Sequence, residues 1–175
     1  HAEKDNHRIQ KVSAMIHNRP ITFHPSVVID TTGESTVARF AGVETVENKT
    51  YQAAAQTFIM TGIATNDEQK LRLSLLRSIR KGIEDGVFPQ HYDMLSVVPG
   101  SLKSSRAVFK LGLPLEVGND PFEMTRLQLF ARKALTEMVY YLQTHNNLFK
   151  NAVLSMIAPE VGIRTGPRNV GKTVL

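Results

Sequence analysis

The chain of 175 residues contains no cysteine and no tryptophan, and only 7% of it is aromatic. Without cysteine there are no disulfides, no thiolate nucleophile and no cysteine-ligated zinc, and a reducing compartment, the cytoplasm, is expected. No apolar run approaches the length of a membrane span, and no signal-peptide pattern opens the sequence. The first residue is His1, so the sequence is expected to begin at an expression or processing boundary. No pair of histidines stands at the helical spacing a zinc site needs, and no Gly-x-Ser-x-Gly turn is present. The histidines therefore make no metal site, and no residue pattern names a catalytic acid or base.

What remains is ordinary globular material: 42% hydrophobic, 21% charged, enough apolar surface for a real core. Lysine and arginine number 21 against 16 acidic residues, a formal balance of +5. The densest cationic group is Lys70, Arg72, Arg77, Arg80 and Lys81. No aromatic residues interleave it, so it reads as the solvated face of a helix and not as a nucleic-acid surface.

Residues 1–7 are polar and are expected to fray. Arg8–Ile16 and Ile21–Asp30 read as two strands joined by the turn His17-Asn18-Arg19-Pro20, a hairpin. The β-branched run Val27-Val28-Ile29 has the look of a strand buried on both faces. Ser35 is positioned to cap a short helix over residues 36–41, and Gly42 to stop it. Residues 52–63 read as a strand. Asn66-Asp67-Glu68 opens a helix to about Asp85, with Leu71, Leu75, Leu76, Ile79 and Ile83 on one face. Residues 92–98 and 106–114 read as strands. Asp120, Pro121 and Glu123 start a second long helix, running to about Thr144, whose buried stripe is Leu127, Phe130, Ala131, Ala134, Leu135, Met138, Tyr141 and Leu142. Asn146-Asn147 ends it, and residues 152–158 read as a last strand. The fold class expected is α+β: an antiparallel-rich sheet backed by two long helices, with no repeat and no low-complexity linker.

Three stretches could carry chemistry. Gly166-Pro167-Arg168-Asn169-Val170-Gly171-Lys172-Thr173 matches the phosphate-loop pattern in full, with Lys172 and Thr173 in the phosphate and magnesium positions. Such a loop must lead into a helix whose amides face the anion, and only Val174 and Leu175 follow, so a glycine- and arginine-containing turn is the simpler reading. The strand end at Ile29 runs into Asp30-Thr31-Thr32-Gly33-Glu34, where small residues let backbone amides approach a ligand. Arg164 and Arg168, four residues apart among glycines, suit a carboxylate or phosphate, and equally suit pairing with carboxylates of the fold itself.

The stretch Val28-Ile29-Asp30-Thr31-Thr32-Gly33-Glu34-Ser35-Thr36-Val37-Ala38-Arg39-Phe40-Ala41-Gly42 resembles a segment of a family of FAD-dependent oxidoreductases. In that family a strand ending Asp-Ala-Thr-Gly-Asp leads into a helix ending Ala-Gly. Gln56-Thr57-Phe58 to Gly62 resembles the stretch that follows, and Gly162-Ile163-Arg164, Arg168 and Gly171 resemble the family's Gly-Val-Arg-Glu-Ser-Arg-Arg-x-x-Gly. Thr31 stands where the family has Ala, and Thr165, Gly166 and Pro167 stand where it has Glu, Ser and Arg.

The Gly-x-Gly-x-x-Gly turn that grips the pyrophosphate, and the family's final flavin-binding segment, have no counterpart. The resemblance therefore implies an internal segment of a longer flavoenzyme. Residues 1–50 would be part of a flavin domain, including the hairpin and strand, and residues 51–175 a substrate or cap domain. It implies Thr32, Gly33 and Glu34 beside the FAD of the intact parent, and Arg164 and Arg168 near a small-molecule substrate. The remainder of the parent chain would be the principal partner, with neither nucleic acid nor membrane, and the excerpt alone would be inactive and bind FAD poorly. A non-catalytic domain that packs on a partner, or a phosphate-loop nucleotide-binding protein, are the rival readings.

Overall fold

A computed structural model describes residues 1–46, 53–114, 121–163 and 166–171. The chain divides into two compact units, His1–Tyr51 with Thr165–Leu175, and Gln52–Arg164. The architecture is α+β, with antiparallel sheets in both units.

The first unit opens with a meander of three strands, β1 (Ala2–Asp5), β2 (Arg8–Ile16) and β3 (Arg19–Phe23), in the order β1-β2-β3. The hairpin is as expected but tighter: Ile16 pairs with Arg19, and only His17 and Asn18 form the turn, both at positive φ (46° and 61°). Two left-handed residues give the turn twist that matches a right-twisted ribbon. Pro20 pairs with Met15 inside β3, an edge strand, where its missing N–H does no harm.

Two expectations fail here. Residues 2–5 are a strand, not a frayed end, because β2 supplies backbone partners and Ala2 is buried. Beyond Phe23 the strand stops: residues 24–30 have no ladder, and Val27 and Ile29 are 77% and 82% exposed. A strand buried on both faces needs neighbours on either side, and the described residues place none there.

Helix α1 (Thr36–Phe40) follows, closed at Gly42, and β4 (Thr45–Val46) pairs antiparallel with β9 (Arg168–Asn169). The unit's buried described residues are Ala2, Ala38, Ala41 and Pro167, and none is a large apolar side chain.

The second unit has what the first lacks. Strands β5 (Ala54–Thr61), β6 (Leu95–Val97), β7 (Arg106–Leu113) and β8 (Val153–Ile157) form an antiparallel sheet ordered β6-β7-β5-β8. Helices α2 (Glu68–Glu84) and α3 (Pro121–His145) supply the rest of one hydrophobic core. Strand alternation sorts the sheet into two faces. Phe58, Met60, Phe109 and Leu111 are buried with Leu71, Leu75 and Ile79 of α2 and Leu127, Leu135, Met138 and Leu142 of α3, while Thr57, Thr61, Val108 and Lys110 stay half-buried on the opposite face. Phe58 and Phe109, paired across β5 and β7, stack at 5.3 Å.

Asp67 caps α2, its carboxylate accepting from the amides of Gln69 (2.9 Å) and Lys70 (3.1 Å). The expected start of α3 at Asp120 lies outside the described residues. Two details differ from expectation. The strand expected over 92–98 begins at Leu95, because Gln90–Met94 is a 3₁₀ turn; the spacing of three between buried Tyr92 and Leu95 suits that turn. On α2, Leu76 is 41% exposed and Ile83 only partly buried, so the core stripe is Leu71, Leu75, Ile79 and Gly82.

Candidate functional site

The turn from Asp30 into α1 is organised by a carboxylate. Asp30 Oδ1 accepts from the Thr32 amide (3.1 Å) and the Thr32 hydroxyl (2.7 Å), and Oδ2 accepts from the Ala38 amide (3.0 Å). The Thr32 oxygen in turn accepts from the Thr36 amide at 2.8 Å. Asp30 and Thr32 thus satisfy amides that begin the helix, across a loop too wide for the usual adjacent cap. The Thr32 hydroxyl, with the Ala38 and Thr32 amides, holds the Asp30 carboxyl below the ordinary carboxylate range, outweighing a small opposing effect of burial.

Ser35 stands at the cap position but does not cap. It is left-handed (φ 52°, ψ 37°), and its hydroxyl donates to the Pro167 carbonyl at 3.0 Å. The segment Gly166-Pro167 crosses the turn closely: a Cβ on Gly166 would sit 2.9 Å from the Gly33 carbonyl oxygen and 3.2 Å from Glu34 Cγ. Only glycine permits that approach. Gly33, at φ 79°, faces the opposite situation, with open space where a Cβ would stand. No hydrogen bond among the described residues engages the amides of Gly33 and Glu34. Beside them a cleft of about 330 Å³ is lined by Glu34, Thr36, Arg39 and Phe40.

Of the residues singled out from sequence, Thr32, Gly33 and Glu34 lie together in this turn, but the Thr32 side chain is committed to Asp30 and Thr36. Arg168 begins β9, next to the Pro167 that receives Ser35, and is exposed. Arg164 lies outside the described residues. The residue that sequence reasoning passed over is Asp30. Its signal was an Asp-x-Thr ahead of a helix with a poorly placed cap.

The phosphate-loop reading meets a direct obstacle. Arg168 and Asn169 are extended and paired with Val46 and Thr45, and the Val170 amide donates to the Glu44 carbonyl at 3.0 Å. A phosphate cradle needs a curled backbone with its amides free. Lys172 and Thr173 lie outside the described residues. Among the described residues no three histidine, aspartate or glutamate side chains gather to hold a metal, and no helix is long and apolar enough to cross a membrane.

The model of the FAD dependent oxidoreductase family matches residues 1–175, and the chain belongs to that family. No curated protein matches the chain, and no solved structure does.

Proposed function

We propose that this chain is the part of a flavin-dependent oxidoreductase that closes the flavin domain and carries the substrate or cap domain, and that by itself it is inactive and holds FAD weakly. The functional division runs near residue 50, with residues 1–50 on the flavin side and the second unit's sheet and helices on the substrate side. The observation that carries this reading is the imbalance between the units. Among the described residues the second buries a full core, whereas the first buries three alanines and a proline and leaves Val27 and Ile29 in solvent just ahead of the Asp30 turn. Burying one such side chain stabilises by roughly 1.5–3 kcal/mol, so a surface of this kind suits a sheet supplied by further polypeptide of the flavin domain.

The turn fits one edge of FAD. The free amides of Gly33 and Glu34 suit a polar edge of the cofactor, the open side of Gly33 lets it approach the backbone, and Arg39 and Phe40 offer a cation and an aromatic surface. When bound, the flavin supplies the hydride or electron transfer to a small-molecule substrate. Thr32 acts indirectly, by holding the turn. Arg164 and Arg168 are assigned to an anionic part of the substrate or flavin. With no Gly-x-Gly-x-x-Gly in the sequence, the pyrophosphate has no helix N-terminus to rest on. The absence of cysteine supports a reducing, cytoplasmic setting.

The test is a titration of the 175-residue chain with FAD, read by quenching of flavin fluorescence and by the absorbance retained after gel filtration. The expected result is colourless protein and no saturation in the micromolar range. A yellow protein with micromolar affinity overturns the proposal.

A further inference from the structure

The solvent side of α2 combines two features that the flavin chemistry does not use. Leu73 and Leu76 are 54% and 41% exposed, and they border an apolar groove of about 430 Å³ between α2 and β6. Leu75, Leu95 and Val97 contribute its other apolar walls, and among the described residues Arg72 is its one charged lining residue. A second hollow of about 450 Å³ beside Leu73 is lined in part by Lys70, Arg77 and the helix-capping Asp67.

Around these leucines stand Lys70, Arg72, Arg77 and Arg80, all exposed, and among the described residues none has a carboxylate within ion-pair distance. Of the acids at the two ends of α2, Glu84 is exposed four residues beyond Arg80, and the others are engaged. Asp85 pairs with Lys81, Asp67 caps the helix, and Glu68 accepts from the amides of Gly100 and Leu102. Between Glu68 and Glu84 every charged residue of α2 is basic, so opposite signs meet only at the two ends of the helix. The middle of this face has apolar centres flanked by basic side chains alone, the arrangement of a recognition surface whose partner carries the opposite sign.

We propose that the α2 face binds an acidic, leucine-bearing segment of a partner protein, with an apolar side chain entering the groove beside Leu76 and carboxylates meeting Arg72, Arg77 and Arg80. The concavity decides between a peptide and an anionic membrane. A bilayer surface is met by protruding apolar side chains, whereas the apolar surface here forms the walls of a recess that takes one or two side chains.

The experiment uses the 175-residue chain and a fluorescein-labelled peptide, Glu-Leu-Asp-Glu-Leu-Leu-Glu-Asp-Leu-Ala, read by anisotropy. Its companion replaces every acid with the corresponding amide. We expect saturable binding of the acidic peptide, and at least tenfold weaker binding by Arg72→Glu and by Leu76→Asp. Both substituted positions are exposed, and circular dichroism checks that each variant keeps the wild-type helix signal. Should a variant lose that signal, Arg80→Glu, at another exposed position, takes its place. Absence of binding by the wild-type chain up to about 1 mM, or equal binding of the amide peptide, overturns the proposal. So does binding of phosphatidylserine vesicles, abolished by the same substitutions, in the absence of peptide binding, since that assigns the face to a membrane. Dimerisation of the free chain that Leu76→Asp abolishes also overturns it, since that assigns the groove to a second copy.

Discussion

Asp30 Oδ2 accepts a hydrogen bond from the amide of Ala38, eight residues further along the chain, at 3.0 Å. That single bond spans the Thr31–Val37 turn and fixes the geometry in which Gly33 and Glu34 present free amides. A carboxylate in this position acts as a helix cap from a distance, and the residue at the formal cap position, Ser35, is released to tie the turn to Pro167.

Asp30→Ala is expected to weaken the turn by about 0.5–2 kcal/mol, the usual range for losing a cap. Amide hydrogen exchange at Thr36 to Phe40 should accelerate accordingly. Protection unchanged from wild type at those amides would show that Asp30 does not hold the helix. The pH dependence has a definite sign. The folded carboxyl titrates below its ordinary 3.8, so its contribution is fully present above that value and is lost as pH falls below 3.8 through the lower folded value. Exchange rates in the variant should lose this dependence.

Gly82 lies in the buried stripe of α2, where a helix glycine changed to alanine ordinarily stabilises by up to about 1 kcal/mol. Here the sign reverses. The added Cβ would stand 2.6 Å from Phe88 Cδ2 and 3.2 Å from Tyr141 Cζ, rings already packed edge to face at 4.6 Å. Gly82→Ala should destabilise by about 1–3 kcal/mol, measured as a lower urea midpoint. A midpoint raised by the substitution would mean that the rings yield without cost.

Tyr92 is a buried phenol whose hydroxyl donates to Glu137 Oε2 at 3.4 Å. Burial first, and then the Glu137 charge, push its ionisation up to about 12. Because the folded value lies above the ordinary 10, the contribution is fully present below about pH 10 and is lost as pH rises towards about 12. Near-ultraviolet phenolate titration should show a late step that Tyr92→Phe removes. If the variant leaves the high-pH limb unchanged, the late step belongs to another tyrosine.

Asn146, just beyond α3, is buried, and its Nδ2 donates to the Ser78 hydroxyl (2.8 Å) and to the Ser74 hydroxyl (2.9 Å), while its Oδ1 accepts from the Leu148 amide (3.0 Å). This amide joins the end of α3 to the middle of α2. Asn146→Leu leaves those groups without their partner and should cost about 1–3 kcal/mol in thermal or urea unfolding. A variant as stable as wild type would show that the serines find other partners.

The long elements of the second unit were legible from residue pattern alone, whereas the 3₁₀ turn over Gln90–Met94 was not. The 3.6-residue recurrence of Leu71, Leu75 and Ile79 gave α2, and the β-branched and alternating residues around Phe58 and Phe109 gave β5 and β7, because a strong period leaves a helix or strand one way to bury its apolar side. The short motif around Asp30 and Gly33 also carried the likeness to FAD-dependent oxidoreductases. What the pattern could not show was whether a neighbour exists. Val27-Val28-Ile29 has the composition of a central strand, and composition is blind to the absence of adjoining strands among the described residues. Leu76 has the composition of core and lies one step around the helix from it.

The amino-acid sequence by itself determined the α+β class, the periodic elements of the second unit and the kinship with FAD-dependent oxidoreductases, since local periodicity and short motifs are properties of neighbouring residues. Only the tertiary structure decided that Asp30 and not Ser35 caps α1, that Gly166 must be small, and that β9 returns to β4. The last two, like the Ser35 bond that frees the cap position, depend on groups far apart in the chain meeting in space: Ser35 and Pro167 are 132 residues apart, and their bond exists only because the backbone returns to place them 3.0 Å from each other.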